Sequence, residues 1–175
     1  MRNTITFILI LSLFCFVECR KHRLDSNGLP PATQQGKNTL GFLLNGEPWT
    51  PKGFRGTANL SIDFDPGYKN GIFGIVAYNF IPTVSEQLTI GIRDSLNFIT
   101  APKSFPLSRS GLYVISYSKS CDYFSTLIDV QSTGALTITK LDRSNRIISG
   151  IFEATLSKAG CDTIRITEGR FDMKF

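Results

Sequence analysis

An all-β fold, an antiparallel two-sheet β-sandwich of about nine or ten strands, is what this sequence predicts, with a β-barrel as the alternative. Three observations lead there. Ala135–Lys140, Ile148–Leu156 and Thr163–Phe175 alternate apolar and polar side chains, the period of a half-buried strand. Similar short runs recur along the chain between turn signals, and no stretch holds a helical period beyond about two turns. The composition, 14 Phe and 42% hydrophobic residues against 19% charged, suits strands better than helices. In the C-terminal segments one phase, Leu136, Ile138, Ile148, Phe152, Ala154, Leu156, Ile164, Ile166, Phe171, Met173 and Phe175, is expected to face a common core. The other phase, Thr137, Glu153, Thr155, Arg165, Arg170, Asp172 and Lys174, is expected to face water.

The chain of 175 residues divides into a signal peptide over 1–19, a flexible tether over 20–38 and a single all-β domain over 39–175. Arg2 precedes an apolar run, Thr4–Val17, too short to cross a bilayer as a helix, which marks an export signal. Phe16-Val17-Glu18-Cys19 resembles a bacterial lipobox with Cys19 as the lipidated residue, although Glu18 stands where that pattern wants a small side chain. Cleavage after Cys19 without lipid, giving a soluble secreted protein, is the alternative. Residues 20–38 are polar and rich in Gly, Pro and Gln without apolar periodicity, hence the tether.

Within the domain, Leu40–Gly46 reads as a strand ending in Asn45-Gly46, the strongest short hairpin signal, with Glu47-Pro48-Trp49 as the return. Thr57–Phe64 alternates, and Asp65-Pro66-Gly67 supplies a turn. Ile72–Phe80 is apolar on both faces, which predicts a central strand, and Glu86–Asp94 carries Leu88, Ile90 and Ile92 on one side. Asn97–Arg109, with Pro102 and Pro106, reads as a loop; Leu112–Tyr117 and Tyr123–Val130 read as a further pair of strands.

Four stretches together resemble a family of small Bacteroidota cell-envelope lipoproteins classed as a domain of unknown function. They are Leu29–Phe42; Leu44-Asn45-Gly46 with Trp49-Thr50-Pro51; Leu136–Asp142 with Asn145–Glu153; and Gly160–Asp172. The resemblance spans nearly all of the chain beyond the signal. It implies an envelope β-domain and brings no catalytic residues. Members commonly carry a Cys where this chain has Phe42.

Several chemistries are disfavoured by inventory. The lone histidine, His22, lies in the tether, so the domain has no Ser-His-Asp triad, no Cys-His pair and no His-based metal site. The formal net charge of +5 is mild and scattered, unlike the basic stripe of a nucleic-acid reader, so no nucleic acid is expected as partner. The cluster Arg20, Lys21 and Arg23 points instead to an anionic membrane surface.

Cys121 and Cys161 are the two cysteines outside the signal region, and in an oxidising compartment a disulfide is the first expectation, two free buried thiols the second. A bridge would bring Asp122 and Asp162 into one neighbourhood, where a Ca²⁺ could use them with backbone oxygens; two solvated turn residues explain them equally. Trp49 and the tyrosines 68, 78, 113, 117 and 123 are candidates for a ligand platform, against the usual core role of strand aromatics. Glu153 and Asp172 are the nearest thing to a carboxylate pair across a cleft.

These readings converge on an exported envelope lipoprotein, held at the outer membrane or in the periplasm through Cys19, without a cofactor. Its β-domain is expected to bind or support an envelope protein or glycan without catalysis. A carbohydrate- or lipid-binding module of an uptake system is the second reading, and a carboxylate-dependent hydrolase the third. Some of the Bacteroidota lipoproteins that the chain resembles carry an acidic run just after the Cys for surface export; Arg20 and Lys21 stand in its place here, which by that resemblance favours the periplasmic side.

Overall fold

A computed structural model describes residues 24–80 and 85–175; the predicted signal peptide, Cys19 and the start of the predicted tether lie outside the described residues. Among the described residues eleven strands form: β1 (Thr39–Leu44), β2 (Glu47–Trp49), β3 (Leu60–Asp65), β4 (Ile72–Phe80), β5 (Ser85–Ile92), β6 (Lys103–Pro106), β7 (Tyr113–Ser118), β8 (Asp122–Phe124), β9 (Val130–Asp142), β10 (Ile147–Lys158) and β11 (Ile164–Lys174). They pair antiparallel into a six-stranded sheet A, order β2-β1-β11-β10-β9-β6, and a five-stranded sheet B, order β3-β4-β5-β7-β8. Neither sheet closes on itself, so the fold is a sandwich and not a barrel.

The alternation read in the sequence places the core. From sheet A, Leu40, Phe42, Leu136, Ile138, Ile148, Phe152, Leu156 and Phe171 point inward; from sheet B, Phe73, Ile75, Leu88, Ile90, Ile92 and Ile115 meet them, all buried in one cluster. Each such side chain removed from water contributes about 1.5–3 kcal/mol. The turn between β1 and β2 is the predicted Asn45-Gly46 pair, both at positive φ (51° and 91°), which suits the twist of a two-residue hairpin.

In β11 the inward phase changes from Ile164 and Ile166 to Phe171 and Met173. A β-bulge explains it. Against β10, Ile166 pairs with Ala154 and Gly169 with Phe152, so three steps on β11 answer two on β10. Glu168, at φ 52°, takes up the extra residue, and every side chain beyond it changes face.

Three expectations need correction. The segment 97–109, read as a loop, contains the edge strand β6, whose Phe105 is buried; its Pro106 is tolerated because one side of an edge strand needs no donor. The predicted strand Tyr123–Val130 is broken by a turn over residues 125–129, and Val130 instead opens the long β9. Finally, residues 24–38 are no free tether.

Those residues form a strap across the outer face of sheet A. Leu29 is fully buried, and Asn38 accepts a hydrogen bond through its side chain from the Lys174 amide at 2.9 Å. Gly41 of β1 makes the seat: a Cβ there would lie 2.5 Å from Pro30 Cδ, so the strap rests where a side chain is missing. Asp25 accepts from the Asn27 and Leu29 amides and bonds Arg170 at 2.6 Å, closing a local turn onto β11. The polar composition that suggested a tether supplies hydrogen bonds to a sheet face.

Candidate functional site

The register of sheet A sets out its outer face in rows. Thr39, Asp172, Ser149 and Lys140 form one row across β1, β11, β10 and β9. Gly41, Arg170, Ile151, Thr137 and Ser104 form the next, reaching β6. Beyond it come Glu153, Ala135 and Pro106, then Arg165, Thr155 and Thr133. The strap covers the first row and part of the second; the rest is open.

Under the strap Asp172 is caged. Its carboxylate accepts hydrogen bonds from Thr33 Oγ1 (2.5 Å), from the amides of Gln35 (3.0 Å), Gly36 (2.8 Å) and Lys37 (3.2 Å), and from Ser149 Oγ (2.8 Å). Burial alone raises its pKa, but the bonds from Thr33, Gln35, Ser149 and Gly36 outweigh that and hold it below the ordinary carboxylate range. The expectation that Asp172 faces water therefore fails. It does point away from the sandwich core, but the strap lies over it.

Glu153 sits four residues along β10 from Ser149, the partner of Asp172, which is roughly 13 Å at about 3.3 Å per residue. The Glu153–Asp172 pair is thus not assembled as two carboxylates across one cleft. Every oxygen of Asp172 is already engaged by a donor.

The open rows form a groove. Its larger part, ≈ 430 Å³, is bounded by Ala32 of the strap and lined by Thr137, Ile151, Glu153, Glu168 and Arg170; Glu153 joins it to a second hollow of ≈ 380 Å³ among Thr133, Thr155 and Thr167. Ile151 is 49% exposed at its centre, an apolar side chain in the outward phase of β10. The bulge presents Glu168, which binds Asn27 Nδ2 (2.8 Å) and Arg170 Nη2 (3.2 Å), while Arg170 Nη1 binds Asp25. This wall of ion pairs and hydrogen bonds fixes one side of the groove, and Glu153 leaves an exposed carboxylate on the other.

At one end of the sandwich Cys121 and Cys161 form a disulfide, S–S 2.03 Å. Beside it is a hollow of ≈ 330 Å³ lined by Asn45, Tyr117, Lys119, Tyr123, Asp162 and the disulfide itself. Asp162 and Asp122 are both exposed, and only Asp162 lines the hollow. The Asp162 carbonyl accepts from the Tyr123 hydroxyl and the Asp122 carbonyl from Lys158 Nζ at 3.4 Å. Among the described residues no three His, Cys, Asp or Glu side chains group as a metal site would require.

Trp49 is not exposed for a ligand. Its ring is buried and stacks on Phe42 at 4.7 Å between centroids. Its Nε1 donates to Glu86 at 2.6 Å, and Glu86, itself buried, also receives Asn79 Nδ2 (3.3 Å) and the Lys119 ammonium (2.8 Å). Burial pushes the Glu86 carboxyl up, yet Lys119 and Trp49 together bring it below its ordinary value. Tyr113, Tyr117 and Tyr123 are likewise core, and burial raises the phenol pKa of each; Tyr68 alone among the candidate aromatics is more than half exposed.

Two site features escaped the sequence reading although signals for both existed. Glu86 shares the phase of Leu88, Ile90 and Ile92, which makes it an inward carboxylate. Ile151 stands in the outward phase between Ser149 and Glu153. Compared with protein-family models, curated proteins and solved structures, the chain matches none.

Proposed function

We propose that this protein is an exported envelope lipoprotein, attached through Cys19, whose sandwich holds another envelope component in the open groove of sheet A without catalysing a reaction. The observation that carries this is Ile151, half-exposed in a groove whose side wall is fixed by Arg170, Glu168 and the strap. An apolar centre with a polar rim is the usual composition of a contact patch. The export signal, the lipobox-like Cys19 and the resemblance to small Bacteroidota lipoproteins support the location. Aromatic stacking, the common means of holding a glycan, finds no exposed ring in the groove, since Phe152, which lines its floor, is buried in the core, and this favours a protein occupant.

The test is site-specific photocrosslinking in intact cells, with the reactive residue at position 151 and a control at Ser61 on the outer face of sheet B. A discrete protein adduct from position 151 and none from 61 is expected. No adduct above the control sinks the reading, and a glycan or lipid adduct replaces it with the uptake module. Turnover of an ester or glycan by pure protein, lost in Glu153→Gln, would show the domain to be an enzyme.

A further inference from the structure

The strap also determines where the chain leaves the domain. Leu24, the first described residue, is 56% exposed and lines a depression of ≈ 240 Å³ together with Pro30, Thr39, Thr50, Pro51 and Leu60. That depression runs along the side of the sandwich where sheet A ends in β1 and its short edge partner β2, and where sheet B ends in β3. On its rim stands the connection from β2 to β3, with Phe54 74% exposed at its tip. The base of that tip is held: Lys52 exchanges backbone hydrogen bonds with Tyr78 and Phe80, and the Gly53 carbonyl accepts from Asn59 Nδ2 at 3.0 Å. Lys52 and Arg55 flank Phe54, with Arg55 lying 5.6 Å over the Phe80 ring. The exposed acids of the bordering strands, Glu47 on β2 and Asp63 and Asp65 on β3, do not line the depression.

We infer that this edge is a membrane-docking surface, on which Phe54 and Leu24 enter the bilayer interface while Lys52 and Arg55 face anionic headgroups. The inference rests on attachment through Cys19. Only five residue steps separate Cys19 from Leu24, and Arg20, Lys21 and Arg23 are among the intervening residues. Fully extended, those steps span about 17 Å. So short a connection keeps the Phe54 edge at high effective concentration over the bilayer. An exposed aromatic with flanking cations is the composition that partitions into an anionic interface.

Phe98 is exposed singly (76%), and a second group of exposed apolar side chains, Phe124, Leu127 and Ile128 (83% exposed for the last), lies at the far corner. From the Ser149 row beside Thr39 to Lys158, the partner of Val130, is nine residues along β10, roughly 30 Å. That corner is beyond the reach of the connection and carries Asp129, ion-paired to Lys158, in place of a basic cluster.

The test uses the mature protein purified from its native membrane and reconstituted into vesicles of zwitterionic and anionic phospholipid with brominated acyl chains. Bromine quenches tryptophan within the acyl region, and Trp49 is buried, so variants Phe54→Trp and Ile128→Trp report their own positions. Strong quenching of Trp at position 54 and none at 128 is expected, with the quenching reduced at least threefold in Lys52→Glu. Quenching at 128 alone, or at neither position, overturns the inference. Intact mass of the same sample reports the acyl chains separately: acylated protein without quenching at 54 refutes docking and leaves the attachment, whereas quenching without acylation does the reverse.

Discussion

Removing the Asp172 carboxylate is the sharpest test of the strap. In Asp172→Ala five donors lose their acceptor, three of them the backbone amides of Gln35, Gly36 and Lys37. A net hydrogen bond contributes about 1 kcal/mol, so five set an upper figure of about 5 kcal/mol. Lifting of the strap would rehydrate its amides and uncover Ser149 beneath it at the cost of the strap's own contacts, which brings the expected loss to about 3–5 kcal/mol, within the range found when one partner of a buried charged cluster is removed. For a domain of ordinary stability, about 5–15 kcal/mol, that is at least a fifth of the total. Urea denaturation measures the loss, and amide exchange at positions 35–37 shows whether the strap has lifted.

The pH dependence carries a sign of its own. Because the folded-state pKa of Asp172 is depressed, its stabilisation is complete above the unfolded value, about 3.9, and disappears as pH falls from there through the folded value. Wild type and Asp172→Ala should therefore differ most at neutral pH and converge in acid. A loss below about 1 kcal/mol, with unchanged exchange at 35–37, would refute the cage as a source of stability.

Three further outcomes are expected. Reducing the Cys121–Cys161 bridge, which spans 40 residues of sequence, should lower stability by about 3–4 kcal/mol on the chain-entropy account, read as a reductant-dependent shift of the urea midpoint; no shift would mean the ordered ends of β8 and β11 hold without it. Glu86→Ala should cost about 2–4 kcal/mol, since Trp49 Nε1 loses its buried acceptor and Lys119 its partner; the single tryptophan reports it directly as a red shift and greater acrylamide quenching. Ile151→Lys should leave the midpoint within about 0.5 kcal/mol of wild type, as for other exposed positions, while abolishing the envelope crosslink; a large loss of stability would make Ile151 a structural residue instead.

Much of the fold is legible in the order of residues. The alternation in β9, β10 and β11 marks the inward side chains, and even the change of phase between Ile166 and Phe171 is written there, although only the pairing shows that Glu168 is the bulge. The Cys121–Cys161 disulfide is the first of the two expectations that the cysteine count leaves open. The β6 strand is not legible: it is four residues long, contains Pro106 and owes its existence to β9 beside it. The candidate site is less legible still, because a groove is made of one outward residue from each of several strands, and those strands are brought side by side by pairing that no local pattern states.

By itself the sequence determined the strand class, the alternation of inward and outward side chains, the Asn45-Gly46 turn and the absence of histidine from the domain, since these depend on local sterics and on an inventory of side chains; that the strands form two open sheets and not a barrel was decided by their pairing. Tertiary structure alone decided that residues 24–38 lie on sheet A, that Asp172 is caged although it points away from the core, and which outward rows stay open. The physical reason is the same in each case. Periodicity tells which face of a strand a side chain occupies, but whether that face meets water depends on what distant segment covers it, and a polar segment without periodicity gives no sign of the surface it will satisfy.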